Sequence, residues 1–480
     1  MKKLHFHTSL SEKIGFLFED QQCKDIFIDR ITDDARLGSI YLGKIRNVDQ
    51  SISAAFIDIG VDKVGFLPLS EIPYLKDEDY HLTDGASIIV QVAKEAYQDK
   101  GPRLTANITL TATNVIYLPY GSYIAASKKL SETTADHWKQ VMKEELSDYE
   151  GLILRTSIEK ATEEELEEEL KKVRNRWQRL KDVTKAKKAP TLLFQVPLVP
   201  DQVLNQYQSL TFADITFNNR KTLENMKTAF PKLSDQMRIR KEADQIAGKD
   251  IQYWLLEAIE PIVRKPDGIT LTVEQTEALT VIDIDSSKFT SRQNKKNTVF
   301  RINQQAIRYC VEEIQKRNLS GIILIDFLKM AKKEEALLLK EMKAVLKEDP
   351  IRSEVFGFTR LGLMELTRKR ERTGLLQLLT NHSSRIQHSL STETIAYQLE
   401  RELISWNYSN IESLLIRCDH DVALFFKRHL KERIESNIHF DLYWQLEKTD
   451  TGYDVIRSGS DTLIEAYIKE NKEIVIDRVV

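Results

Sequence analysis

Two short apolar runs, each ending on an aspartate, constrain this chain more than any other feature. Ala278-Leu-Thr-Val-Ile-Asp283 and Ile322-Ile-Leu-Ile-Asp326 have the length and β-branched content of strands. Between them, from about Val299 to Arg317, the residues Ile307, Cys310, Val311 and Ile314 recur at helical spacing, and Asn318 and Gly321 supply the stop. Strand, helix and strand over this length imply parallel strands joined by a right-handed crossover. Parallel strands bring their C-terminal ends to one edge, where open α/β sheets place their sites. Asp283 and Asp326 are therefore expected in one crevice, on strands about 4.8 Å apart.

At that spacing two carboxylates can share one ion. Mg²⁺ suits them, because it takes hard oxygen ligands and is commonly held by one or two carboxylates plus waters and phosphate. A lone strand-end aspartate more often caps a turn; the pairing is what raises the metal reading. Between Ser286 and Val311 stand six basic residues (Lys288, Arg292, Lys295, Lys296, Arg301, Arg308) and no acidic one, a stretch suited to holding a polyanionic backbone. From Arg360 to Arg372 a second cluster has five basic residues against Glu365 and Glu371.

The N-terminal 36 residues are ambiguous. From about residue 37 the texture is β: Ser39-Ile-Tyr-Leu, Ile52-Ser-Ala-Ala-Phe-Ile-Asp-Ile, Val64-Gly-Phe-Leu and Ala86-Ser-Ile-Ile-Val-Gln-Val, punctuated by glycines. A small Greek-key barrel fits, with the OB-fold as one candidate. Phe56 and Phe66 are then either stacking platforms for bases or core aromatics. A capping box, Thr162-x-x-Glu165, opens a helix whose Leu166, Leu170, Val173, Trp177 and Leu180 form one stripe. Pro190, Pro197 and Pro200 mark a boundary near 190–200. The last hundred residues read as an α+β unit, helical over about 392–435, then strand-like at Ile438–Trp444 and Glu473–Asp477.

A net charge of −3 gives no global signature of a nucleic-acid binder. No run approaches the ~18 apolar residues of a membrane span, and no apolar segment follows the N-terminal lysines, so a cytoplasmic protein is expected. Cys23, Cys310 and Cys418 lie too far apart in sequence for a CxxC zinc knuckle, and buried reduced thiols are expected.

Three motifs carry a resemblance: Gln275-Thr-Glu-Ala-Leu-Thr-Val-Ile-Asp-Ile-Asp285, Gly321-Ile-Ile-Leu-Ile-Asp-Phe327 and Arg360-Leu-Gly-Leu-Met-Glu-Leu-Thr-Arg368. They resemble, in order, the catalytic region of the ribonuclease E/G family. Ala55-Phe-Ile-Asp-Ile-Gly60 and Gly65-Phe-Leu-Pro68 look like that family's S1 RNA-binding domain. The resemblance implies a multidomain α/β and α+β chain. An RNase H-like subdomain (1–36 and 191–260) would be split by an S1-type OB-fold barrel (37–108) and a 5′-sensor region (109–190). A DNase I-like catalytic domain (261–376) and a linker with a small C-terminal α+β domain (377–480) would follow.

The implied activity is Mg²⁺-dependent endonucleolytic cleavage of single-stranded RNA, leaving 5′-phosphates, in rRNA or mRNA processing or decay. Asp283 and Asp326 match the metal-binding acids, with Asp285 beside them. Arg155, Thr156 and Lys128 match a 5′-phosphate pocket. Phe56, Phe66, Lys94 and Lys100 match RNA contacts of the S1 region, and Arg360, which opens the third motif, is expected to bind RNA as well. Three departures stand out: Asp285 replaces the usual Asn, Ser287 stands where Gly or Ala is common, and Lys128 replaces an arginine. The cysteine pair that joins two chains through zinc is absent after Arg372, so any homo-oligomer is expected to lack a zinc link. The alternative is a non-catalytic RNA-binding protein with a decayed site, acting in ribosome assembly.

Overall fold

The structure, a computed structural model, describes all residues except 9, 32–34, 77–81, 97–99, 129, 196, 209, 241–244, 287–294, 381–388, 472–475 and 480. The chain divides into two units: Met1–Thr32 together with Pro197–Val480, and Asp33–Val196.

The first unit opens with antiparallel strands β1 (Lys2–His7), β2 (Lys13–Glu19) and β3 (Gln22–Asp29). The second unit then begins. Its strands β4 (Ile40–Asp49), β5 (Ala54–Asp58), β6 (Gly65–Pro68), β7 (Ser87–Lys94) and β8 (Arg103–Thr105) close into a barrel, because β4 pairs with both β5 and β7. Ala55, Ile57, Leu67, Val90, Val92 and Leu104 pack into one core, while alternate residues such as Phe56, Phe66 and Arg103 stay partly or fully exposed.

A second sheet in this unit has β9 (Leu110–Thr111), β10 (Val115–Leu118), β11 (Ile124–Ala126) and β12 (Gly151–Leu154), in the order β11-β12-β10-β9. Helices α1 (Glu132–Glu145) and α2 (Glu163–Ala186) share its core. The capping box at Thr162 and Glu165 is formed, and α2 buries the Leu166-to-Leu180 stripe. Strand β13 (Thr191–Phe194) pairs with β4, so these residues belong with the barrel's unit, although a boundary at 190/191 was expected. Leu192, Leu193 and Phe194, between Pro190 and Pro197, make a short apolar run that can extend a neighbouring sheet.

Back in the first unit come α3 (Val203–Tyr207), β14 (Asp214–Phe217), α4 (Arg220–Ala229) and β15 (Met237–Ile239). β14 runs parallel to β1 and β15 parallel to β14, giving the order β15-β14-β1-β2-β3. A hairpin of β16 (Gln245–Ile246) and β17 (Lys249–Asp250) leads into α5 (Ile251–Ile259).

Next lies a six-stranded sheet: β18 (Ile262–Arg264), β19 (Thr270–Gln275), β20 (Leu279–Asp285), β21 (Gly321–Asp326), β22 (Ser353–Phe358) and β23 (Leu363–Arg368), ordered β18-β19-β20-β21-β23-β22. Only β20 and β21 are parallel, and α6 (Lys295–Lys316) crosses between them as expected. Ile282, Ile284, Ile323, Ile325, Met364 and Leu366 meet α6 and α7 (Lys332–Val345) in one core. The alternate residues of these strands occupy the opposite face.

After α8 (Leu375–Leu379) come α9 (Thr392–Trp406), β24 (Ser413–Cys418), α10 (His420–His429), α11 (Lys431–Glu435), β25 (Asp441–Leu446), β26 (Tyr453–Gly459), α12 (Asp461–Glu470) and β27 (Ile476–Arg478), with sheet order β26-β24-β25-β27. The expected helix over 392–435 is thus broken by β24. Ser413-Leu-Leu-Ile-Arg-Cys is a short apolar run whose periodicity does not separate strand from buried helix. A fully enclosed Arg30 links the end of β3 to this region through Leu378, Thr394 and the ring of Tyr397. All three cysteines are buried free thiols.

Candidate functional site

Asp283 and Asp326 are register partners on parallel β20 and β21. Paired residues share a face, so both carboxylates leave the same side of the sheet, about one strand spacing apart. Both are exposed, while their strand neighbours Ile282, Ile284 and Ile325 are buried under the helices. Asp285 is two residues on, also exposed and on the face of Asp283. Thr272 and Thr270 pair with Asp283 and Asp285 on one side, and Leu363 pairs with Asp326 on the other.

The chain leaving Asp326 is tied down by a residue that the sequence reading missed. Asn303 of α6 is fully buried; its Nδ2 donates to the Leu328 carbonyl at 2.8 Å, and its Oδ1 accepts from the Leu328 N–H at 3.1 Å. A signal was present: Asn303 is a polar residue sharing the helical stripe of Ala306, Ile307 and Cys310.

The donor set at this edge is two adjacent hard carboxylates with a third close by. Among the described residues no cage of three or more His, Cys, Asp or Glu side chains converges on one point. An ion that keeps most of its shell as water and phosphate fits such a set, and Mg²⁺ is that kind of ion.

Of the flanking basic residues, Arg301 and Arg308 are exposed on α6. Ser287, Lys288 and Arg292 lie outside the described residues, as do the side chains of Lys295 and Lys296. In the second cluster Arg360 is exposed at the β22–β23 turn beside Leu361. Two of its neighbours are used internally. Arg368 is buried against Asp349 at 2.7 Å, and Arg372 pairs with buried Asp25 at 3.0 Å while its guanidinium lies over Phe27.

Lys128, Arg155 and Thr156 come together at another edge. β11 and β12 are parallel, and the Ser127 N–H bonds the Leu154 carbonyl at 2.9 Å, so residues 128 and 155 leave the same end of adjacent strands. Lys128 and Thr156 are exposed and Arg155 is partly buried. Arg155 Nη1 donates to the Ala112 carbonyl at 2.7 Å and the Thr113 carbonyl at 3.1 Å. The turn it grips is braced from α2, where Glu169 accepts from the Asn114 N–H at 2.8 Å and from its Nδ2 at 3.1 Å. Burial lowers the Arg155 guanidinium from its ordinary value and raises the Glu169 carboxyl. Asn114 and Glu169 carried no sequence signal, because their role depends on a strand and a helix far apart in the chain.

On the barrel, Phe56 and Phe66 are cross-strand partners facing outward, with ring centroids 6.1 Å apart and planes at 70°. They are partly exposed, so neither belongs to the buried core. Lys94 is exposed at the end of β7, and Lys100 is exposed just before β8. Gly101 lets the chain pass β6 closely there: a Cβ at that position would meet the Val64 carbonyl oxygen at 1.9 Å.

Fold and site together define a multidomain α/β protein with a carboxylate pair at a sheet edge and an aromatic, basic face on a small barrel. The profile of the ribonuclease E/G family matches residues 109–371, a span that contains both aspartates. Ribonuclease G of Salmonella typhimurium is 30% identical over 409 residues, covering 79% of this chain and 83% of that protein. Ribonuclease G of Haemophilus influenzae is 28% identical, covering 81% and 84%. Ribonuclease E of Synechocystis is 29% identical, covering 76% of this chain and 56% of its own length. The chain belongs to the ribonuclease E/G family.

Proposed function

We propose that this protein is an endoribonuclease that cleaves single-stranded RNA with Mg²⁺, leaving 5′-phosphates, in the processing or decay of rRNA or mRNA. One observation carries the reading most: Asp283 and Asp326 stand in register at the only parallel junction of their sheet. Asp283 and Asp326 would hold the magnesium ion. When bound, the ion polarises a phosphoryl oxygen and activates a water. Asn303 fixes the backbone two residues beyond Asp326, which limits how far the end of β21 can shift.

In this reading Arg155, Thr156 and Lys128 bind an RNA 5′-monophosphate. Because Arg155 Nη1 is committed to two carbonyls, its remaining donors and the Lys128 point charge make a weaker pocket than a free arginine fork would. The barrel is read as S1-type, with Phe56, Phe66, Lys94 and Lys100 on RNA. The β15-β14-β1-β2-β3 sheet is read as RNase H-like, the six-stranded sheet as DNase I-like, and Arg360 as a cation beside its substrate face. A cytoplasmic location is consistent with the fact that, among the described residues, no helix is long and apolar enough to cross a membrane. Any self-association is proposed to proceed without shared zinc.

The test is incubation of purified protein with a 5′-monophosphorylated A/U-rich oligonucleotide, with Mg²⁺ or with EDTA. Internal cleavage with Mg²⁺ and none with EDTA is expected. Tight RNA binding without cleavage at any Mg²⁺ concentration would replace this reading with the non-catalytic one.

A further inference from the structure

The barrel carries a continuous polar and aromatic row that includes residues with no role so far. Register pairs run Asn47 with Phe56, Phe56 with Phe66, Phe66 with Arg103, and Arg103 with Lys94. Five residues on five neighbouring strands therefore form one line across the outside of the barrel. Four strand spacings give it a length of roughly 19 Å. The order is amide, two aromatics, guanidinium, ammonium. Aromatic rings accept bases of any identity, and cations beside them accept the phosphates of the same strand.

Arg103 stands between the aromatic and the lysine, where a backbone phosphate would lie if a base stacked on Phe66. Its Nη2 is 3.6 Å from Glu71 Oε1, and both side chains are substantially exposed, at 46% and 37%. Such a pair contributes little by itself. The carboxylate is nonetheless well placed: its other oxygen accepts from Thr105 Oγ1 at 2.8 Å, and the Glu71 carbonyl accepts from the N–H groups of Ala106 and Asn107. Glu71 is thus an anchored anion beside a cation that keeps donors toward solvent.

We propose that Arg103 is a phosphate-binding residue of the barrel's RNA track, and that Glu71 is its built-in competitor, displaced when RNA arrives. This rests on reading the barrel as an RNA-binding surface. A phosphate offers the guanidinium two charge-assisted hydrogen bonds in place of one long ion pair. The carboxylate weakens binding by occupying the arginine and repelling the strand. It thereby limits the contribution of this one contact.

The experiment is fluorescence anisotropy of an A/U-rich single-stranded oligonucleotide on the full chain, in EDTA, over a range of salt concentrations. Arg103→Ala is expected to weaken binding by about tenfold. It should also reduce the slope of log K against log salt by about 0.7, the value for one phosphate on a single strand. Arg103→Lys should restore the slope. Glu71→Gln keeps the Thr105 acceptor and should tighten binding several-fold, a gain that disappears when Arg103 is alanine. If Phe66→Ala weakens binding while Arg103→Ala changes neither affinity nor slope, the proposal fails and the barrel reading stands. If Glu71→Gln helps equally with and without Arg103, the competitor role is wrong. If Phe56→Ala, Phe66→Ala and Arg103→Ala are all silent, both the barrel reading and the proposal fall.

Discussion

Replacing Glu12 with glutamine tests the buried charge cluster that ties the N-terminal strands to α9. Glu12 and Arg30 are essentially inaccessible, and Arg30 Nε meets Glu12 Oε1 at 2.8 Å. The second carboxylate oxygen binds Arg401, itself 12% exposed. The remaining Arg30 donors are used on the Leu378 carbonyl at 2.9 Å and Thr394 Oγ1 at 3.1 Å. Glutamine keeps the shape but removes the buried anion between the Arg30 and Arg401 guanidiniums. Breaking a buried pair from one side costs about 3–5 kcal/mol, because the other charge stays buried and unmatched. Glu393, 3.5 Å from Arg30 and 31% exposed, offsets part of this, which places the expected loss near the lower bound.

Native-state hydrogen exchange of the α9 amides reads this locally: a loss of about 3 kcal/mol appears as roughly 150-fold lower protection. Loss of less than fivefold protection would refute the reasoning and mean that water reaches the cluster. The pH dependence has a defined sign. Burial alone would raise the Glu12 carboxyl, but the Arg30 and Arg401 guanidiniums overcome it and hold the group below its ordinary value of 4.5. Its contribution is therefore complete above about that value and is lost as pH falls through the lower folded-state value.

Four further outcomes are expected. Asp283→Ala or Asp326→Ala should cut the cleavage rate by ~10³-fold while leaving oligonucleotide affinity nearly unchanged; undiminished Mg²⁺-dependent cleavage in both would remove the metal assignment. Asp285→Asn should retain cleavage with a higher Mg²⁺ requirement, measured by metal titration of the rate, and complete inactivity at saturating Mg²⁺ would make it a third essential acid. Arg155→Ala should bring the rates on monophosphorylated and hydroxyl-ended RNA to parity; a preference that survives unchanged places 5′-phosphate recognition elsewhere. Asn303→Ala removes both bonds to the half-buried backbone of Leu328, so denaturant unfolding should show a loss of about 1–3 kcal/mol, and the Mg²⁺ needed for half-maximal cleavage should rise; an unchanged metal requirement would reduce Asn303 to a purely structural role.

The parts of the fold legible in the sequence are those where periodicity and chemistry agree. The α2 stripe follows from a local spacing rule, and the β20–α6–β21 crossover from two apolar runs and a helix between them. The Asp283–Asp326 register needed only that strand assignment. Strand β24 was not legible, because a short run with Leu414, Leu415 and Ile416 at its centre satisfies both strand and helix patterns until packing decides. Nor was the division of the Arg360–Arg372 cluster. Arg368 and Arg372 differ from Arg360 only in meeting Asp349 and Asp25, partners brought near by tertiary structure. The row that includes Arg103 was hidden for the same reason: its members come from five strands, and the irregular registers at Ile45–Asn47 and Val92–Lys94 shift the counting.

The interrupted first unit has a consequence for how the chain is made. β1 emerges from the ribosome well before its parallel neighbour β14: His5 bonds Thr216 across 211 residues. At about 5–20 residues per second, the nascent β1–β3 ribbon waits on the order of 10–40 s for the strand that completes its sheet. During that interval the whole of Asp33–Val196 is synthesised, with every strand of its barrel available. The inserted unit therefore has the chance to fold first, while the opening strands wait with Leu4 and Phe6, buried in the finished sheet, still uncovered.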